Sequence, residues 1–171
     1  VVITNGRKII YTVNMSVTVK DLKDVSRQLS ERVNVSGGWT ESSREERGYM
    51  YLTYRVPVAE MNTFIDLLSG CGEVNEKSIN TRDITDQYAD TERAKDLYVK
   101  EYEAYAALYE TLSTEPASPE NTDNKLRILK AMQEAASMID AYNGELSSYD
   151  QLVDYATFSI YLYEENVYEE P

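Results

Sequence analysis

The chain has 171 residues, 30 of them acidic and 17 basic, with one cysteine and no histidine. Its net charge of −13 argues against a nucleic-acid partner, because phosphate backbones are bound by Lys and Arg, and it disfavours flat docking on an anionic membrane. The single cysteine allows neither an intrachain disulfide nor a thiolate metal site, and no run of about twenty apolar residues predicts a membrane span.

The first half of the chain alternates between strand and helix patterns. Apolar residues occupy the odd positions from 9 to 19, which predicts a strand with one buried face. Asp21 is placed to cap a first helix, and Gly37-Gly38 to end it. A short second helix is expected before the fourth strand. This order predicts a ferredoxin-like two-layer α+β sandwich, with two helices covering one face of an antiparallel sheet. The second to fourth strands are predicted over 39–44, 49–56 and 74–80.

Two long helices are predicted between the fourth strand and a fifth. Residues 113–124 contain two prolines and no hydrophobe larger than alanine, which predicts an exposed loop, and Ser118-Pro119 looks like the start of the second helix. On both sides of the loop, selected residues recur every three or four positions, which is the spacing of a coiled-coil seam. The seam residues are Ile84, Tyr88, Thr91, Lys95, Tyr98, Tyr102, Tyr105, Tyr109 and Leu112 in the first helix, and Ile128, Met132, Ala135, Ile139, Tyr142, Leu146, Tyr149 and Val153 in the second.

Strand-like alternation returns over residues 155–163, which predicts a fifth strand that rejoins the sheet. The two long helices are therefore expected to form an antiparallel coiled-coil hairpin inserted before the last strand. We assign residues 1–82 and 155–171 to the ferredoxin-like body and residues 83–154 to the hairpin. The abrupt ends of the sequence indicate a domain cut from a longer protein.

Five short segments share a resemblance that covers nearly the whole chain. They are RKIIYT at 7–12, GGWTESS at 37–43, LTYRVP at 52–57, DITDQYAD at 83–90 and YATFSIYL at 155–162. In this order they resemble a family of bacterial cell-envelope proteins known as domain of unknown function 4349. The resemblance implies an extracytoplasmic domain, tethered to the bacterial cytoplasmic membrane by anchors outside this sequence, and it brings no activity. That family tends to carry leucine in the first long helix, so Lys95 and the tyrosines here predict a seam that is splayed or hydrated.

Two aromatic surfaces are candidate binding sites. The first is the sheet face opposite the helices, where hydroxyls and rings suit a protein partner or a polysaccharide. The alternative is that Tyr and Thr are simply favourable strand residues on a solvent-facing side. The second is the tyrosine stripe over 98–109, for which packing against the other long helix is the alternative. The candidate binding residues on the sheet face are Tyr49, Tyr51, Arg55, Tyr155, Tyr161 and Tyr163.

Catalytic patterns are missing from the sequence. Histidine is absent, Cys71 lies between two glycines, and neither a Gly-rich phosphate loop nor a calcium loop occurs. We therefore expect no enzymatic activity, no cofactor and no metal. The sequence predicts a non-enzymatic interaction or sensor module of the cell envelope, which contacts another envelope protein through the hairpin or the open sheet face. The alternative is a module that binds cell-wall polysaccharide through the Tyr-rich face.

Overall fold

The computed structural model describes residues 6–165. Residues 1–5 and 166–171, which were assigned to the two ends of the predicted body, lie outside the described residues. The chain divides into two compact units, a body formed by Val1–Ile84 and Gln151–Pro171 and a helical unit formed by Thr85–Asp150. Among residues 6–165, no helix combines the length and the apolar character needed to cross a membrane. The elements are β1 (Ile9–Val19), α1 (Leu22–Ser36), β2 (Trp39–Glu46), β3 (Tyr49–Pro57), a 3-10 turn (Val58–Glu60), α2 (Met61–Ser69), β4 (Glu73–Asp83), α3 (Thr85–Ser113), α4 (Pro119–Asp154) and β5 (Tyr155–Glu164).

Both predicted caps of α1 are confirmed. The Asp21 side chain accepts a hydrogen bond from the Asp24 amide at 3.1 Å, which satisfies one of the free N–H groups at the helix start. At the other end Gly37 has φ of 92°, a left-handed conformation that favours glycine. Gly38 is required for a different reason, because a Cβ there would lie 2.1 Å from the carbonyl oxygen of Arg55. The turn thus places β2 directly against β3.

The sheet is mixed, with the strand order β2-β3-β5-β1-β4. β5 lies between β3 and β1, antiparallel to β3 and parallel to β1. The α+β prediction is confirmed, but the prediction of an antiparallel sheet is wrong. The alternation within a strand reveals which face is buried and not which strands become its neighbours. Because a connection of two long helices separates β4 from β5, β5 can enter the sheet between any pair of strands and in either direction.

The hydrophobic core lies between α1, α2 and one face of the sheet. Phe64 of α2 packs edge-on against Phe158 and Tyr54, with ring centroids 5.0 and 5.8 Å apart. The Tyr54 hydroxyl is 2.9 Å from Ser30 Oγ, so the one polar atom that this ring carries inward has a partner. Burial of the ring raises the pKa of Tyr54. The sheet side of the core is Val13, Met15, Val17 and Val19 of β1, Met50, Leu52, Tyr54 and Val56 of β3, and Ala156, Phe158, Ile160 and Leu162 of β5.

β4 is longer than predicted and occupies one edge of the sheet. All of its side chains except that of Ser78 are exposed. The poor alternation of its sequence has a physical cause, since a strand with neither face covered has no side that must be apolar. Val74 and Ile79 lie on the helix side of the sheet, opposite Val17 and Val13, yet they remain 36% and 44% exposed.

The helical unit contains α3, of 29 residues, and α4, of 36 residues. Its side-chain contacts occur in antiparallel order: Tyr88 with Tyr149 at 6.3 Å between rings, and Tyr98 with Tyr142 at 5.8 Å. The Tyr88 hydroxyl donates to Asp150 Oδ1 at 2.8 Å, so this phenol has the partner that burial requires.

The start of α4 at Pro119 confirms the prediction from Ser118-Pro119, and it makes the connection between α3 and α4 shorter than the loop predicted over 113–124. The backbone N–H of Asn121 donates to Ser118 Oγ at 3.0 Å, which makes Ser118 the N-cap of α4. Asn121 is 7% exposed, and its Nδ2 donates to the carbonyls of Leu112 and Pro116. A residue in the predicted exposed loop is therefore buried and ties the end of α3 to the start of α4.

Candidate functional site on the open sheet face

Four tyrosines stand side by side on the sheet face that α1 and α2 leave open. The register of β3 against β5 places Tyr49 opposite Tyr163 and Tyr51 opposite Tyr161. Ring centroids are 6.2 Å apart in the first pair and 4.6 Å apart in the second. Tyr161 and Tyr163 are 6.5 Å apart, and their ring planes differ by 12°. We call these four residues the tyrosine quartet. Tyr49, Tyr161 and Tyr163 are 36%, 43% and 41% exposed, so their rings are available to a partner.

Charged and hydroxyl side chains flank the quartet on its two sides. On β2, Arg44 lies opposite Tyr51, and its guanidinium forms an ion pair of 2.8 Å with Glu46. On β1, Ser16 lies opposite Tyr161 and Thr18 opposite Tyr163. The surface around the rings is therefore polar and locally balanced in charge, although the whole chain carries −13. This is the composition of a polar rim around an aromatic centre.

A row of short polar side chains crosses the sheet next to the quartet. Asn14 Nδ2 donates to Ser78 Oγ at 3.5 Å, the one hydrogen bond between side chains found within this row. Because these side chains are small, they offer hydroxyl and amide groups without blocking access to the rings beside them. The row consists of Ser42, Thr53, Ser159, Asn14 and Ser78, in the order of the strands.

A second aromatic pair lies at the far end of the face. Trp39 of β2 and Tyr155 of β5 meet edge to face, with ring centroids 4.7 Å apart. Trp39 lies opposite Arg55 of β3. The predicted site residue Tyr155 thus belongs to a cluster separate from the quartet.

Arg55 is buried, at 6% exposure, and its donors are used inside the body. Nη1 donates to Thr157 Oγ1 at 2.7 Å, and Nη2 donates to the carbonyls of Gln151 at 2.9 Å and Tyr155 at 3.3 Å. Gln151 lies in the last turn of α4, where carbonyls lack helical partners and the helix dipole is negative. The arginine therefore caps the helix end at the point where the chain enters β5, which is a structural role.

The charge of Arg55 persists in this environment. Burial lowers the pKa of Arg55, and the carboxylate of Glu41 opposes that shift. A guanidinium nevertheless stays protonated at neutral pH, because its ordinary pKa lies far above neutral. Its Nε is buried without a partner among the described residues. Replacement of this residue would leave the carbonyls that it caps without their donor.

Sequence reasoning missed Trp39, Arg44 and Glu46 as members of this face. The reason is a bulge in β2 between Thr40 and Ser42, which shifts the register against β3. With one extra residue in the strand, simple alternation assigns the wrong face to one end of it. The pairing of β2 with β3 shows that Trp39, Arg44 and Glu46 lie on the open face. No local signal in the sequence indicates this.

The groove between α1 and α2 and the thiol of Cys71 are weaker candidates. A groove of about 210 Å³ between α1 and α2 is lined in part by Arg32, Val35 and Phe64. It is smaller than the roughly 300–1,000 Å³ that ligand pockets usually offer. The Cys71 thiol donates to the Leu67 carbonyl at 3.2 Å, and burial raises its pKa, which disfavours the reactive thiolate. Within residues 6–165, no group of three or more His, Cys, Asp or Glu side chains could hold a metal ion.

Together these features define an α+β protein whose described residues form a five-stranded mixed sheet and four α-helices, with one sheet face that carries an exposed aromatic and polar surface. The family model described as "Domain of unknown function (DUF4349)" matches residues 7–171. The chain belongs to this family, and the resemblance carried by the five sequence segments is confirmed. No curated protein and no solved structure matches the chain.

Proposed function

We propose that this domain is a non-enzymatic interaction module of the bacterial cell envelope and that it binds another envelope protein through the open sheet face. The observation that carries the proposal is the tyrosine quartet, in which neighbouring rings lie 4.6 to 6.5 Å apart on an exposed surface. Single exposed aromatic residues are ordinary on protein surfaces, whereas a contiguous group of them marks an interaction site.

Tyrosine is well suited to the centre of such a surface. It brings a large contact area and a hydroxyl, and it loses little conformational entropy because its side chain has two rotatable angles. Mutual contacts between Tyr51 and Tyr161, and between Tyr161 and Tyr163, restrain these rings further before a partner arrives. A preorganised surface spends less of its contact energy on ordering side chains. The quartet therefore has the properties of an energetic centre of an interface.

We further propose that the domain lies outside the cytoplasm and is tethered to the cytoplasmic membrane. Its support is the likeness of the chain to envelope proteins of this family, together with the acidic surface, which disfavours flat attachment to anionic lipid. In such a setting the domain serves as a contact or sensor module.

We also propose that the body is a ferredoxin-like sandwich and that α3 and α4 form a coiled-coil hairpin. If β5 is left aside, the order of the remaining strands is β2-β3-β1-β4, and α1 and α2 cover one face. This supports a ferredoxin-like sandwich that has been expanded by one central strand. For α3 and α4, the antiparallel contacts and the three-and-four spacing of the less exposed residues support a coiled-coil hairpin.

A second candidate function is binding of cell-wall polysaccharide by the same face. One observation favours it: Tyr161 and Tyr163 of β5 have nearly parallel rings, with an interplanar angle of 12°. The neighbouring strand β1 supplies the hydroxyls of Ser16 and Thr18 beside these rings. Parallel rings can stack on successive sugar units, and the hydroxyls can bond to the sugar oxygens.

The two candidates are distinguished by one set of variants. Tyr51→Ser/Tyr161→Ser removes the closest ring pair of the quartet, and Tyr102→Ser removes a ring of the helical unit that is equally exposed at 37%. Each purified domain is tested for capture of detergent-solubilised envelope proteins and for co-sedimentation with purified cell-wall sacculi. Protein capture that is lost in the double variant and kept in Tyr102→Ser supports the interaction module. Sacculus binding that is lost in the double variant and kept in Tyr102→Ser supports the polysaccharide module. If neither protein capture nor sacculus binding changes in the double variant, both candidate functions are refuted.

A further inference from the structure

β4 forms one edge of the sheet that the described residues build. It is 11 residues long and, among the described strands, pairs with β1 alone. In an antiparallel edge strand, alternate residues direct their backbone N–H and C=O groups outward, where another strand can bind them. β4 has a bulge at Asn75, near its start, which leaves residues 76–83 in regular register with β1. The opposite edge of the sheet is less suitable, because β2 has only 8 residues and is bulged at Glu41.

The side chains of β4 are complementary to those of a second β4 in one antiparallel register. A two-fold axis through Ile79 sets this residue opposite its own copy on the helix side of the sheet. On the open face, Glu76 then lies opposite Arg82 of the second copy, and the symmetry repeats this pair. Ser78 lies opposite Asn80. Both charged residues face the same side within one chain, since they lie opposite Ser16 and Ile10 of β1.

Neighbouring registers fit less well. A shift of two residues in one direction puts Lys77 opposite Ile79 and loses the Glu76–Arg82 pairs. A shift in the other direction places Ile79 against Thr81 and loses the Glu76–Arg82 pairs. One-residue shifts are excluded, because the axis would then pair residues that point to opposite faces of the sheet. The charges on this edge therefore disfavour indiscriminate pairing and favour one self-complementary arrangement.

We propose that the domain forms a two-fold symmetric dimer by antiparallel pairing of β4 with β4 of a second copy, with Ile79 at the axis. Backbone hydrogen bonds across the new strand pair supply the non-specific part of the binding energy. The Ile79 contact covers an apolar side chain that is 44% exposed in the single chain. Arg82 also has a partner within its own chain, but a guanidinium has five N–H donors and can serve both.

This pairing has a consequence for the open face. An axis perpendicular to the sheet keeps α1 and α2 of both copies on one side and both open faces on the other. The two five-stranded sheets then continue into each other, and two tyrosine quartets face the same way. A partner with repeated epitopes would bind both quartets and gain avidity. The dimer itself does not depend on the quartet's function.

The experiment is a charge-swap cycle on the whole 171-residue chain, followed by sedimentation equilibrium. It is performed at about 0.15 M salt, where repulsion between the two acidic chains is screened beyond roughly 8 Å while paired charges in contact still attract. We expect a concentration-dependent dimer for the parent chain. Glu76→Arg sets two Arg pairs in opposition and should weaken the dimer by about tenfold or more. Glu76→Arg/Arg82→Glu restores opposite charges and should restore the dimer.

Glu45→Arg is the matched control, because it makes the same change at an exposed position of the other edge strand and should leave the dimer intact. Circular dichroism of each variant verifies folding. As a second measurement, Ile79→Cys in a Cys71→Ser background should oxidise to a covalent dimer, since the two side chains meet at the axis. A parent chain that stays monomeric at several hundred micromolar overturns the proposal. So does a dimer that ignores Glu76→Arg, a double variant without rescue, or an Ile79→Cys chain that does not cross-link.

Discussion

The body and the helical unit are stabilised in different ways. In the body, apolar side chains from three strands and two helices meet in one core, where Val13, Leu68 and Phe158 are fully buried. In the helical unit, two pairs of tyrosine rings join α3 and α4, and the hydroxyl of Tyr88 donates to Asp150. Apolar burial needs no partner of matched geometry, whereas a buried phenol does. The buried side chains among residues 85–150 are Thr91, Asn121, Ile128, Ala135 and Leu146.

The two units therefore need not share one stability. The body has a continuous core of the kind that unfolds cooperatively, whereas the helical unit buries few apolar side chains. Substitutions confined to one unit therefore test whether the two units differ in stability.

The largest effect is expected for Phe158→Ala in the body. Phe158 is fully buried and packs against Phe64 at 5.0 Å, so truncation leaves a cavity in the core. The free energy of unfolding should fall by about 3–5 kcal/mol, measured by urea denaturation. Phe158→Leu is the control and should cost less than about 1.5 kcal/mol, because it keeps most of the volume. If both changes cost the same small amount, the core of the body is less tightly packed than its burial indicates.

A smaller effect is expected for Ile128→Ala in the helical unit. Ile128 is 8% exposed, and with few buried neighbours its loss should cost about 2 kcal/mol, the lower end of the range for such truncations. The loss should appear in the helical signal of circular dichroism, with the transition of the body unchanged. Leu129→Ala changes the adjacent residue, which is 37% exposed, and should stay within about 0.5 kcal/mol of the parent. An equal shift of both transitions would show that the units unfold together.

Arg55→Ala tests the cap at the end of α4. It leaves the carbonyls of Gln151 and Tyr155 without their donor, which should lower the free energy of unfolding by about 1–2 kcal/mol. Arg55→Lys keeps the charge but cannot reach Thr157 and both carbonyls at once, so it should recover part of the loss. Full stability of the Ala variant would mean that water replaces the guanidinium at these carbonyls.

The smallest effect on stability is expected for Tyr51→Ser/Tyr161→Ser. Both rings lie on the open face, and their mutual contact at 4.6 Å should contribute less than about 1 kcal/mol to the free energy of unfolding. The same variant should lose partner binding, so stability and binding separate at these positions. A loss of several kcal/mol would instead identify the quartet as part of the folded core.

The caps of α1 and the face assignments of β1, β3 and β5 could be predicted from the sequence. Asp21 and Gly37 act through bonds to residues three or four positions away, so their role is visible in a short window. The pairing of Tyr51 with Tyr161 could not be predicted in the same way, because the two tyrosines are 110 positions apart in the chain. Alternation assigned both rings to the open face, and the register then brought them into contact.

What the sequence by itself determined is local: the helices and their caps, the buried side of each regular strand and the family to which the chain belongs. Tertiary structure alone decided the position of β5 between β3 and β1, the burial of Arg55 beneath the end of α4, and the place of Trp39 beyond the β2 bulge. The physical reason is that periodicity records whether a side chain meets solvent or core. Strand order, direction and register depend on contacts between segments far apart in the chain, which no local pattern encodes.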